Sequence, residues 1–147
     1  MATSWEVVFF VCRYSLGGYV LETMRDLLED YPENTDMPEL IFLAGEEYYE
    51  KGTGGENEGN QEKADDNFFH AIKIWDVVIH DLPVDPHFAP RAYNFSGICF
   101  ERLGDIKTAV KYSQTVIDMW PDYEHARWAR KRIERYRNIL KQKRSRH

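Results

Sequence analysis

Cysteine is scarce: Cys12 and Cys99 are the only two in 147 residues, and both sit in apolar, helix-period surroundings where a thiol behaves as a small hydrophobe. That scarcity excludes a disulfide scaffold. Long apolar runs are missing as well. The most apolar stretch, Val7, Val8, Phe9, Phe10, Val11 and Cys12, is bounded by Glu6 and Arg13. It is too short to cross a bilayer, and with no basic lead-in it makes a poor secretory signal. The expectation is a soluble, cytoplasmic chain, with the periplasm as the alternative if a leader has been removed. Signatures of catalysis are absent too: the sequence holds no glycine-rich phosphate loop, nucleophile elbow, paired-cysteine zinc pattern or HExxH helix. Neither enzymatic activity, nor a cofactor, nor a metal site is expected.

What is present is material for a core and a large solvated surface. Hydrophobic residues make up 43% and aromatics 14%, against 30% charged, a composition that suits one ordered domain. The net charge of −6 hides an asymmetry. Residues 122–147 carry ten Lys/Arg against Asp122, Glu124 and Glu134, a surplus of seven that leaves −13 for residues 1–121. An acidic body is followed by a basic tail. The nearest approach to a ligand cluster is Asp76, His80, Asp81, Asp85 and His87, in which Asp76 and His80 share a helix face at a spacing of four. Polar residues collecting at a helix end give the simpler account of it.

Proline spacing reveals the organisation. Pro32, Pro83 and Pro121 each close a helix-period apolar segment, and the endings resemble one another: Leu28, Glu29, Asp30, Tyr31; Ile79, His80, Asp81, Leu82; Ile117, Asp118, Met119, Trp120. Proline cannot continue the helical hydrogen-bond ladder, so each is a stop. Ahead of each stop lies a further helical segment set off by glycine, at Gly17 and Gly18, at Gly52, and at Gly104. Helix, glycine turn, helix and proline stop describe an antiparallel hairpin. In residues 90–121, Ala92, Phe95, Cys99 and Leu103 line one face of the first helix, and Ala109, Tyr112, Val116 and Met119 one face of the second. Two amphipathic helices cannot bury both faces alone, so the pattern asks for stacked neighbours.

Gly97, Phe100, Gly104, Ala109 and Pro121 fall where the 34-residue tetratricopeptide repeat has its small residue, aromatic, turn glycine, small residue and closing proline. Residues 90–123 thus resemble one full repeat. Residues 38–86 resemble another through Gly45, Tyr48, Gly52, Ala71, Trp75 and Pro83, with about fourteen residues inserted after the turn glycine. That glycine-rich, acidic insert, residues 53–66, is expected to be a flexible loop that turns helical from about Gln61. Residues 1–37 look like a degenerate repeat. Residues 122–141 resemble the solvating helix that caps such arrays, with 142–147 a frayed tail. The resemblance implies an all-α fold: antiparallel hairpins stacked as a short right-handed solenoid with a C-terminal cap, all in one domain of residues 1–147.

It also implies a function. In the family, first helices line a concave groove that holds a peptide or helical segment of another protein. Carried over by position, the groove residues are Glu39, Phe42, Glu46, Tyr49 and Glu50 from one repeat and Arg91, Asn94, Ile98, Glu101 and Arg102 from the next. The acidic, aromatic first wall suits a partner with Lys/Arg and an apolar anchor. Members that clamp a C-terminal carboxylate use a Lys and Asn four apart on a first helix, a pair that neither first helix has. The implied role is an adaptor, scaffold or assembly factor. The alternative is nucleic-acid or anionic-surface binding through Arg127, Arg130, Lys131 and Arg135 of the basic helix, which the acidic body opposes. Self-association, basic helix to acidic wall, is a further use of the same charges.

Overall fold

A computed structural model describes residues 37–81 and 86–146. Residues 1–36 of the expected first hairpin lie outside the described residues, as do Cys12 and the stops Pro32 and Pro83. The described residues are all helical in architecture, with no strand: α1 (Met37–Asn57), α2 (Gln61–Asp81), α3 (Phe88–Arg102), α4 (Ile106–Met119) and α5 (Ala126–Ser145). Among them no helix is long and apolar enough to cross a membrane. The chain divides into two compact units, Met1–Ala92 and Tyr93–His147.

In the first unit, α2 buries Ala64, Phe68, Ala71, Trp75 and Val78, and α1 buries Leu40, Ile41, Ala44 and Tyr48. Spacings of three and four put each set on one helix face. The two faces meet with opposite polarity, as the pairs Gly45 with Trp75, Gly52 with Phe68 and Gly55 with Ala64 run in opposite directions along the two helices. Missing side chains on α1 make room for rings on α2: a Cβ at Gly45 would lie 2.2 Å from Trp75 Nε1, and one at Gly52 2.6 Å from the Phe68 ring. Trp75 is fully buried, and its Nε1 donates to the Phe42 carbonyl at 3.0 Å.

The helix expected from about Gln61 does begin there, but the stretch before it, expected as a flexible loop, is not one. Thr53, Gly54, Gly55, Glu56 and Asn57 continue α1, and the turn is confined to Glu58, Gly59 and Asn60. Asn60 N donates to Gly55 O at 2.8 Å and Gly59 N to Glu56 O at 3.1 Å, the paired bonds of a Schellman stop around a left-handed glycine. Gly59 supplies that conformation with φ +72°. Asn60 then caps α2, its Oδ1 accepting from Lys63 N at 3.1 Å. The second hairpin turns in the same way: Asp105 N donates to Phe100 O at 2.9 Å and Gly104 N to Glu101 O at 3.0 Å, with Gly104 at φ +87° and Asp105 accepting from Thr108 N at 3.2 Å. Gly59 is therefore the counterpart of Gly104, and Gly52 that of Gly97, each seven residues ahead of its turn. The extra residues lengthen both arms instead of looping out: α1 and α2 have 21 residues each, against 15 and 14 in α3 and α4.

In the second unit, Tyr93 and Phe100 of α3 set their rings against Tyr112 of α4 at 5.6 and 5.0 Å, and Tyr93 meets Trp120 at 5.6 Å. Ala109, Ser113 and Val116 form the buried line of α4, while Met119, expected on that line, is 57% exposed. Met119 is the last residue of α4. Ala126, Ala129, Ile133 and Tyr136 form the buried face of α5, which packs on α4. The helix continues through Ser145, past the point where fraying was expected. Lys143 and Arg144 occupy its last turn, where positive charge suits the exposed carbonyls of a helix end.

Candidate functional site

The wall expected on α1 separates by depth. Glu39, Glu46 and Glu50 stand at i, i+7 and i+11, which places them within about 40° on one helix face. Glu39 and Glu50 are exposed and Glu46 is half-buried. Burial raises the Glu46 carboxyl above its ordinary 4.5, the negative charges of Glu50 and Glu47 add to the rise, and Arg91 opposes it. Arg91 also lies over the Phe88 ring at 5.4 Å. Phe42, expected to face a partner, is a core residue instead, 4% exposed. Its ring meets Trp75 at 5.9 Å and Phe88 at 5.8 Å, because the apolar stripe of α1 wins the aromatic over the polar face. Tyr49 is half-buried, against Phe68 at 5.8 Å and Trp75 at 6.1 Å. It forms the floor beside the three carboxylates.

The corresponding face of α3 is already occupied. Asn94 is 3% exposed and its Oδ1 accepts from Arg132 of α5, while Glu101 is bonded by Arg135 and accepts from the Tyr136 hydroxyl at 3.0 Å. Both were expected to line a groove, and both serve to dock α5. The pairs Asn94 with Arg132 and Glu101 with Tyr136 run in the same direction, so α5 lies parallel to α3. Burial pushes the Tyr136 phenol up to about 12, with the Glu101 carboxylate adding to it, and burial also lowers the Arg132 guanidinium. Ile98 is half-buried and Arg102 exposed.

Of the basic set on α5, Arg127, Arg130, Lys131 and Arg135 are all exposed, although Arg135 is held by Glu101. A residue that the charge pattern missed stands among them. Trp128 is 43% exposed, with Arg127 4.7 Å and Lys131 4.9 Å from its ring, distances at which cations are attracted to an aromatic face. The signal in the sequence is a tryptophan with one cation a residue before it and another three residues after it. Elsewhere, His80 Nδ1 lies 2.9 Å from Asp76 Oδ1, a polar contact along one helix. Among the described residues, no three His, Cys, Asp or Glu side chains gather as metal ligands would.

No family model matches the chain, and no curated protein matches it significantly.

Proposed function

We propose that this protein is a protein–protein interaction module, an adaptor or scaffold, that holds a basic helical segment of its partner against the acidic face of α1. The observation that carries the proposal is the ladder Glu39, Glu46 and Glu50 with Tyr49 beside it, on a helix fixed by Trp75 and Phe68. Carboxylates in a row steer a cationic segment to the surface and set its register. A half-buried tyrosine offers rigid apolar area for an anchor. In this reading the two hairpins are tetratricopeptide-like units of a short right-handed solenoid, α5 is its cap, and the protein binds without catalysing.

The test uses a labelled helical peptide with Lys/Arg at i, i+7 and i+11 and one aliphatic anchor, titrated against the full chain. Glu46→Lys with Glu50→Lys reduces its affinity at least tenfold, two charges being reversed at a partly desolvated site. Circular dichroism checks that the helices persist. Binding that survives the reversal unchanged disproves the proposal.

Exposed Trp128 between two cations favours a second reading, in which α5 binds a phosphate-bearing surface. Such binding weakens steeply with salt, roughly one decade per decade of salt for each phosphate neutralised. A flat response to salt disposes of it.

A further inference from the structure

The face of α1 has a match within the same sequence. Arg130, Arg137 and Lys141 of α5 stand at i, i+7 and i+11 and are exposed, which is the spacing of Glu39, Glu46 and Glu50 on α1 with the sign reversed. Each ladder spans about 16 Å at 1.5 Å per residue. The total charges agree as well. Residues 37–81 carry eleven Asp/Glu against three Lys, or −8, and α5 carries nine Lys/Arg against Glu134, or +8.

We infer that the partner segment held by the α1 face is α5 of a second copy of this chain, laid parallel to α1 with Glu39 opposite Arg130, Glu46 opposite Arg137 and Glu50 opposite Lys141. The inference rests on the reading of α1 as a docking face. Spacing fixes the direction: in the antiparallel arrangement the middle charges miss each other by three residues, about 4.5 Å, whereas the parallel one aligns all three. No like charges meet in that register, since Leu43 falls opposite Glu134 and Glu47 opposite Asn138. Exposed ion pairs are individually weak and screened by salt, so the association is weak, specific in register, and confined to low ionic strength. It joins two different surfaces, so it either closes on itself or runs on from copy to copy. In both cases mass rises with concentration.

Sedimentation velocity of the full chain, from micromolar to near-millimolar, tests this at low and high salt. Mass above the monomer is expected at low salt and monomer at high salt. Glu50→Lys and Lys141→Glu, both at exposed positions, each weaken association about fivefold. Combining them in one chain restores it, because the pair is rebuilt with reversed sign at unchanged net charge. The off-register combination Glu50→Lys with Arg127→Glu, equal in net charge, does not restore it. A chain that stays monomeric at low salt overturns the inference, as does a double variant no better than its parents, or association that nuclease abolishes. If the chain is monomeric while the basic helical peptide still binds α1, only the second copy is lost as partner. If the peptide fails too, the docking face falls with it.

Discussion

Missing methyl groups decide how closely α1 and α2 approach, and Gly45 is the tightest case. Gly45 faces an indole whose Nε1 is bonded to the Phe42 carbonyl and whose ring is fully buried, so the ring has no direction in which to yield. Gly45→Ala is therefore expected to cost about 2–3 kcal/mol through overpacking, read from a urea titration. Gly97→Ala is the contrasting case, because its Cβ would meet first the Ser113 hydroxyl at 3.3 Å. A hydroxyl can give by the few tenths of an ångström required, and alanine is the better helix former by about 1 kcal/mol. The change at Gly97 should stay within about 1 kcal/mol of neutral. Tyr136 supplies the other residue-scale prediction. The folded chain keeps its phenol proton up to about 12, whereas the unfolded chain releases it near about 10. Its contribution to stability is complete below the unfolded value and is lost as pH rises through the folded one. Tyr136→Phe should cost about 1 kcal/mol near neutrality through loss of the bond to Glu101. It should also flatten the alkaline decline seen in thermal melts.

At the scale of elements, the lengthened α1–α2 hairpin depends on its turn. Gly59→Ala places a side chain at φ +72° and is expected to cost about 1 kcal/mol. Asn60→Ala removes the acceptor for Lys63 N and should cost a similar ~1 kcal/mol. Hydrogen exchange in the last turns of α1 and the first turns of α2 should accelerate in both variants; were this stretch a flexible loop, neither change would register. The second hairpin was legible in the sequence because Gly104, Pro121 and the apolar spacing agree on one turn. The first was misread because glycine has two uses that look alike on paper. Gly52 is there for the space it leaves to Phe68, and Gly59 for its backbone. The resemblance to the repeat family also placed Asn94 and Glu101 together on one side of α3. Such a placement gives a direction but not an occupant, and the occupant is α5. Phe42 was assigned to the outer wall from position alone, while the core claims it with rings on two sides.

For the molecule as a whole, charge is arranged in blocks of opposite sign, and Glu46 shows the consequence for stability. Its carboxyl is raised by burial first and by Glu50 second, against the pull of Arg91. The folded chain therefore holds this proton more tightly than the unfolded chain does. Stability falls as pH rises from the ordinary carboxylate value through the raised one, and at neutral pH the ionised Glu46 is a net cost. Glu46→Gln should raise the melting temperature near pH 7, with the gain vanishing as pH falls through the carboxylate range. Added salt should narrow the difference by screening Glu50 and Glu47. The same substitution removes the middle rung of the carboxylate ladder, so it should weaken the basic helical peptide while strengthening the fold. Opposite movement of the two quantities is what a surface kept for binding shows, since activity and stability then compete at one residue. A Glu46→Gln chain that gains stability at neutral pH and binds the peptide as well as before would remove Glu46 from the docking face and leave it a half-buried carboxylate without a use.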